Sequence, residues 1–128
     1  MTKSEQLIRS ILGPVRADIR PLACAVDAAE ELLFYKDISM DDIHVTEMVY
    51  PAVAGQIKRT PSTASRRVER LANLCWDTLV ERGLVEQYLG EPVKEIRAPR
   101  DMIFYLAYYL HFGHPFYKVI AAEPALLF

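Results

Sequence analysis

The stretch "TPSTASRRVERLANLCWDTLVERG", Thr60 to Gly83, decides the reading of this chain. It opens on Thr-Pro, an N-cap followed by a first helical position, with Ser62 or Thr63 as alternative caps. It closes on Gly83, a residue type that commonly terminates helices. At about 100° per residue, Val68, Leu71, Ala72, Cys75 and Leu79 fall on one apolar face. Arg66, Glu69, Arg70, Asn73 and Asp77 fall on the opposite face. The spacing predicts one long amphipathic helix, about Ser62–Arg82, with arginines gathered in its first half.

Upstream, Pro51 can open a short helix, "PAVAGQIKR", and Tyr50-Pro51 marks a break because a residue before proline avoids the helical region. "ISMDDIHVTEMVY" reads as a turn and a short helix, with Asp41 or Asp42 near its start. "RADIRPLACAVDAAEELLFYKD" reads as a long amphipathic helix, with Pro21 tolerated in its first turn. "SEQLIRSIL" carries Leu7, Ile8, Ile11 and Leu12 on a helical stripe, with Ser4 as its N-cap. "GPV" breaks it.

Downstream, "LVEQYLGEP" is a short amphipathic turn or helix and "VKEIRAP" a connector. Arg100 or Asp101 leads into a strongly apolar helix, "DMIFYLAYYLHF". The apolar tail, residues 113–128, is expected to pack on the domain or on a second copy. No segment reads as a strand pair and no repeat is visible. The expectation is one all-α domain over residues 1–128, with six or seven helices.

The 128 residues are 52% hydrophobic and 25% charged, an ordinary balance for a soluble domain. The polar start "MTKSEQLIRS" lacks the apolar core of a secretion signal, and no apolar run approaches the roughly 20 residues of a membrane span. A cytoplasmic protein without membrane contact is expected. Cys24 and Cys75 sit among apolar residues and read as buried thiols, not as a disulfide framework. The net charge of −2 argues against nonspecific coating of nucleic acid. The charges are segregated, however. Gly55 to Arg70 holds Lys58, Arg59, Arg66, Arg67 and Arg70 against Glu69 alone, whereas Asp27 to Glu47 holds seven acidic residues against Lys36. One face can be basic while the whole is acidic.

A short helix, a turn and a second helix with a polar outer face form the helix-turn-helix pattern. Arginine can pair bidentately with guanine, asparagine with adenine, and glutamate can accept from cytosine. Arg66, Glu69, Arg70 and Asn73 are spaced i, i+3, i+4 and i+7, so they can enter one groove together. With Arg67 they are the candidate base-contacting residues. Lys58 and Arg59 in the turn, with Ser62, Thr63 and Ser65, are the candidate phosphate contacts. The plain alternative is a solvated helix face pairing Glu69 with Arg66 or Asn73.

"ASRRVERLANLCWDTLVERG" resembles the recognition helix in the C-terminal effector domain of the stage-zero sporulation regulator A family. That family carries a Ser-Arg-Val-Glu-Arg segment followed by a helix running to Arg-Gly. "SILGPVRADIRPLACAVDAAEELLFYKD" looks like its first two helices, and "VTEMVYPAVAG" is similar to the segment before its scanning helix. "YLGEPVKEIRAPRDMIFYLAYYL" is similar to its later stretch and last helix. The likeness spans residues 5 to 112 in order. It implies binding of promoter DNA at short repeated boxes, with Arg67, Glu69 and Arg70 matching the base-contacting Arg, Glu and Arg. Three departures stand out. The segment from Pro51 to Val68 is longer by about one helical turn. Asn73-Leu74 replaces an Arg-His pair. These residues include no phospho-receiver domain, so the family's aspartyl switch does not transfer.

The expected function is therefore sequence-specific binding of double-stranded DNA in transcriptional control, as a homodimer through the C-terminal helix and tail. The alternative is a protein-interaction domain that kept the fold and lost operator binding. His111 and His114 have a spacing a metal could use, but no third ligand accompanies them. No nucleophile motif or phosphate loop is present. Trp76 and the ring cluster Phe104, Tyr105, Tyr108 and Tyr109 read as core or dimer surface. No enzyme, cofactor or metal is expected.

Overall fold

The computed structural model describes residues 1–96 and 99–124, and every described element is helical or irregular. The α-helices are α1 (Lys3–Leu12), α2 (Arg20–Glu30), α3 (Val45–Met48), α4 (Tyr50–Ile57), α5 (Pro61–Arg82), α6 (Val85–Leu89), α7 (Pro99–Phe112) and α8 (Phe116–Ala122). The all-α expectation holds.

Helix α2 is the hub. Its Leu22, Ala23, Ala25, Val26 and Ala29 are buried, and α1, α4, α5 and α7 all pack against it. The run of alanines lets neighbouring backbones come close, while the larger side chains that fill the core come from the surrounding helices. The helix starts at Arg20, which places Pro21 in its first turn as expected, and Arg16 to Asp18 belong to the preceding loop. Its C-terminal end widens into a π-turn, Glu31–Tyr35, closed by the Lys36 N–H on the Glu31 carbonyl. The wider turn shifts the helical phase. Leu33 is thereby buried and Phe34 stacks on His111 of α7, centroids 4.1 Å apart.

Two expectations about helix starts need correction. Thr2, not Ser4, caps α1: its side chain accepts from the Glu5 N–H while Glu5 reaches back to the Thr2 N–H. This capping box satisfies two orphan donors at once, and it leaves Ser4 free to be buried. The break before Pro51 falls one residue earlier, at Val49, and Tyr50 is helical. Tyr50 is 1% exposed and its hydroxyl is hydrogen-bonded, so packing outweighs the local bias against a helical residue before proline.

Helix α5 follows its sequence signals closely. The Thr60 side chain accepts from the Thr63 N–H at 3.2 Å, and Pro61 occupies the first turn. At the other end Gly83 takes φ 67°, and the Leu84 N–H reaches back to the Leu79 carbonyl in a Schellman closure. The helix is about 33 Å long at the usual rise. Its inner face buries Ala64, Val68, Leu71, Ala72, Cys75 and Leu79 against α1, α2, α4 and α7. Burial pushes the Cys75 thiol up to about 12, which makes it inert, whereas Cys24 is only partly covered.

The described part of the tail packs on its own domain. Phe116 and Val119 of α8 are buried against α6 and α7. The α6 terminator Gly90 has φ 97°, and a β-carbon there would meet the Lys118 backbone nitrogen at 3.1 Å. Only glycine allows this approach without strain. The end of the tail, residues 125–128, lies outside the described residues.

Candidate nucleic-acid interface

Three residues separate α4 from α5. Lys58 ends α4 in the left-handed conformation, φ 57° and ψ 49°, and both its N–H and that of Arg59 return to the Ala54 carbonyl. Glycine would adopt this conformation at less cost than lysine. Holding a lysine there keeps two adjacent cations, Lys58 and Arg59, exposed in the turn. Thr60 then caps α5, and its hydroxyl also donates to that of Thr63 at 3.1 Å. The Ser65 hydroxyl donates to the Ser62 carbonyl, and among the predicted phosphate contacts Thr63 and Ser65 are half-buried while Lys58, Arg59 and Ser62 are exposed.

The predicted base contacts divide into three groups. Arg66, Arg70 and Asn73 are exposed along one outer stripe of α5. An Nη2 of Arg66 lies 3.4 Å from the Thr63 hydroxyl, a loose tether. Arg67 is half-buried on one flank and Glu69 half-buried on the other.

On the Glu69 flank the carboxylate is already engaged. The Tyr50 hydroxyl donates to Glu69 Oε2 at 2.7 Å, and Arg100 Nε donates to the same oxygen at 3.4 Å. The Arg100 guanidinium also lies over the Tyr50 ring, 5.4 Å from its centroid. Burial first, and then the Glu69 bond, push the Tyr50 phenol far above its ordinary range. This three-way contact ties α4, α5 and α7 together, so Glu69 braces the helix whose outer stripe carries Arg66 and Arg70.

On the Arg67 flank, α5 faces the loop between α1 and α2 across two open concavities that share Arg67 and Asp18. One, of about 510 Å³, is lined in part by Arg20, Gln56, Lys58 and Arg59. The other, of about 340 Å³, is lined in part by Arg16 and Arg70. The loop is held by Arg9 of α1, whose guanidinium donates to the carbonyls of Gly13, Val15 and Ala17. Asp18 receives both Nε and Nη2 of Arg20 at 2.8 Å, and the Arg20 backbone N–H at 3.1 Å.

The Arg20 side chain, then its backbone N–H, with Arg67 adding charge, lower the Asp18 carboxyl to about 2 from the usual 3.8. A lowered folded pKa means that the pair contributes above pH 3.8 and is lost as acid titrates the group through about 2. Carboxyl chemical shifts are expected to place the Asp18 midpoint near the lower figure, and Arg20→Ala to move it up toward the ordinary range. A midpoint insensitive to Arg20→Ala would show that this pair does not exist in solution.

Sequence reasoning missed Arg9, Arg16, Arg20 and Arg100. Nothing local signals that the α1–α2 loop or the start of α7 comes beside α5, since these contacts are made across the fold. His111 lies 3.3 Å from Glu30 and stacks on Phe34. Among the described residues no three His, Cys, Asp or Glu side chains gather as a metal site would need. No described helix is long and apolar enough to cross a membrane. No protein-family model, curated protein or solved structure matches this chain.

Proposed function

We propose that this protein is a sequence-specific DNA-binding transcriptional regulator of the cytoplasm, and that α4, its turn and α5 act as a helix-turn-helix. The observation that carries this reading is the exposed stripe Arg66, Arg70 and Asn73, next to the exposed cations Lys58 and Arg59. Base-reading side chains on one helix stripe and phosphate-gripping cations in the preceding turn are what major-groove docking requires. The resemblance to the sporulation regulator's effector domain supports the same reading. Arg66 fits the stripe better than Arg67, which is drawn to the loop flank.

One such helix reads few base pairs, so two copies on repeated half-sites would supply the specificity. The tail remains the candidate contact between copies, through the part of α8 not used to cover its own core.

A second reading is supported by two exposed apolar side chains of α5, Leu74 at 37% exposure on the Arg67 side and Val80 at 52% on the Glu69 side. They suit a protein-interaction surface, and Leu74 lies in the pair that replaces the family's Arg-His. Selection from random duplex DNA with purified protein separates the two. Enrichment of a short motif, often repeated, is expected. Absence of enrichment at low salt would reject DNA binding and leave the protein-contact reading.

A further inference from the structure

We infer that the loop of residues 13–19, with the start of α2, is a second phosphate-gripping element that takes the DNA backbone on the Arg67 flank of α5. This inference rests on the proposed DNA reading and extends it beyond the helix-turn-helix. Arg16 and Arg20 stand on one wall of the two concavities, and Arg67, Arg70, Lys58 and Arg59 on the others. Six cations from three separate elements thus line the two concavities, whose one carboxylate among the described lining residues, Asp18, is occupied by Arg20. A duplex whose major groove holds the exposed stripe of α5 carries a phosphate backbone along each side of that helix. On the opposite flank Glu69 is paired with the single cation Arg100, so the flank with six cations is the one suited to a polyanion.

The loop is also built to hold still. Arg9 fixes three of its carbonyls, and Asp18 fixes the orientation of the Arg20 guanidinium. Arg16 and Arg20 are nonetheless exposed. Fixed backbone and exposed cation together mean that little ordering is needed when a phosphate arrives.

The test is a salt series on the selected duplex and on mismatched duplexes, with wild type, Arg16→Ala, Arg20→Ala and Asp18→Asn. Each arginine variant is expected to lower the slope of log affinity against log salt by about one unit, weakening all duplexes alike by roughly fivefold at physiological salt. Asp18→Asn keeps an oxygen for the Arg20 N–H but removes the competing charge, so it is expected to tighten every duplex. A merely structural role for Asp18 would give the opposite sign. Circular dichroism melts establish that each variant is folded. Unchanged slopes in both arginine variants, with wild type binding its motif, overturn this inference and leave the DNA reading standing. A change confined to one base position overturns it too, since phosphate contacts carry no sequence. No duplex binding by wild type at low salt overturns both.

Discussion

Replacing Tyr108 with alanine is expected to lower the free energy of unfolding by about 3–5 kcal/mol, the range for removing a buried aromatic ring. Tyr108 is 1% exposed in the C-terminal half of α7. Its ring meets Phe34 edge-on at 5.1 Å and Phe116 at 4.8 Å, and lies 6.0 Å from Phe112. The residue therefore joins the π-turn after α2, the end of α7 and the start of α8. Surrounding helices cannot all collapse into the space of a lost ring, so a cavity term adds to the lost transfer energy. Against a total stability of about 5–15 kcal/mol, this is a large fraction. Tyr108→Phe keeps the ring contacts and serves as the control. Urea melts followed by helical circular dichroism measure the difference. A loss under about 1 kcal/mol would mean that α8 and the π-turn are not packed on α7 as described.

The same cluster shows how far local signals reach. Helix α5 is expected over about Ser62–Arg82 and found over Pro61–Arg82, because Thr60, Pro61 and Gly83 act within a few residues of themselves. The start of α1 is misplaced by two residues because a capping box at Thr2 and Glu5 competes with the local appeal of Ser4. Tyr50 defeats the proline rule through a contact with Glu69, nineteen positions away. The π-turn leaves no pattern at all: Glu31 to Tyr35 keep helical spacing closely enough to read as ordinary α-helix.

The candidate site was legible to the same degree and for the same reason. The stripe Arg66, Arg70 and Asn73 follows from helical spacing alone. The division of Arg67 and Glu69 between flanks does not, since it depends on which neighbours the two sides of α5 meet. Helical projection puts Glu69 on the outer face. The structure turns its carboxylate onto Tyr50 and Arg100, both contributed by other helices. Arg16 and Arg20 escape notice because a cation in a loop has no periodicity to betray it.

On the proposed reading, Arg70→Ala is expected to cost about 1–3 kcal/mol of affinity for the selected duplex and to relax preference at one base position. Arg70 is exposed on the stripe, i+4 from Arg66, and edges the groove beside Arg16 and Arg67. A bidentate arginine loses two hydrogen bonds at once when truncated, and the guanine edge it served gains nothing in return from a methyl group. Lys58→Gly is the informative comparison. Glycine accepts the left-handed backbone at that position more readily than lysine, so the fold should be at least as stable. What is lost is one turn cation, which should weaken all duplexes alike and reduce the salt slope by about one unit. Such a contrast would explain why arginines gather at the start of α5 in a chain of net charge −2. On the proposed reading that end of the helix would meet the groove and the turn the backbone, so the two kinds of cation would do different work a few residues apart. Titrations on matched and single-mismatch duplexes at several salt concentrations separate them. Equal losses on every sequence for both variants would reduce the first half of α5 to a nonspecific basic surface and remove the case for base reading.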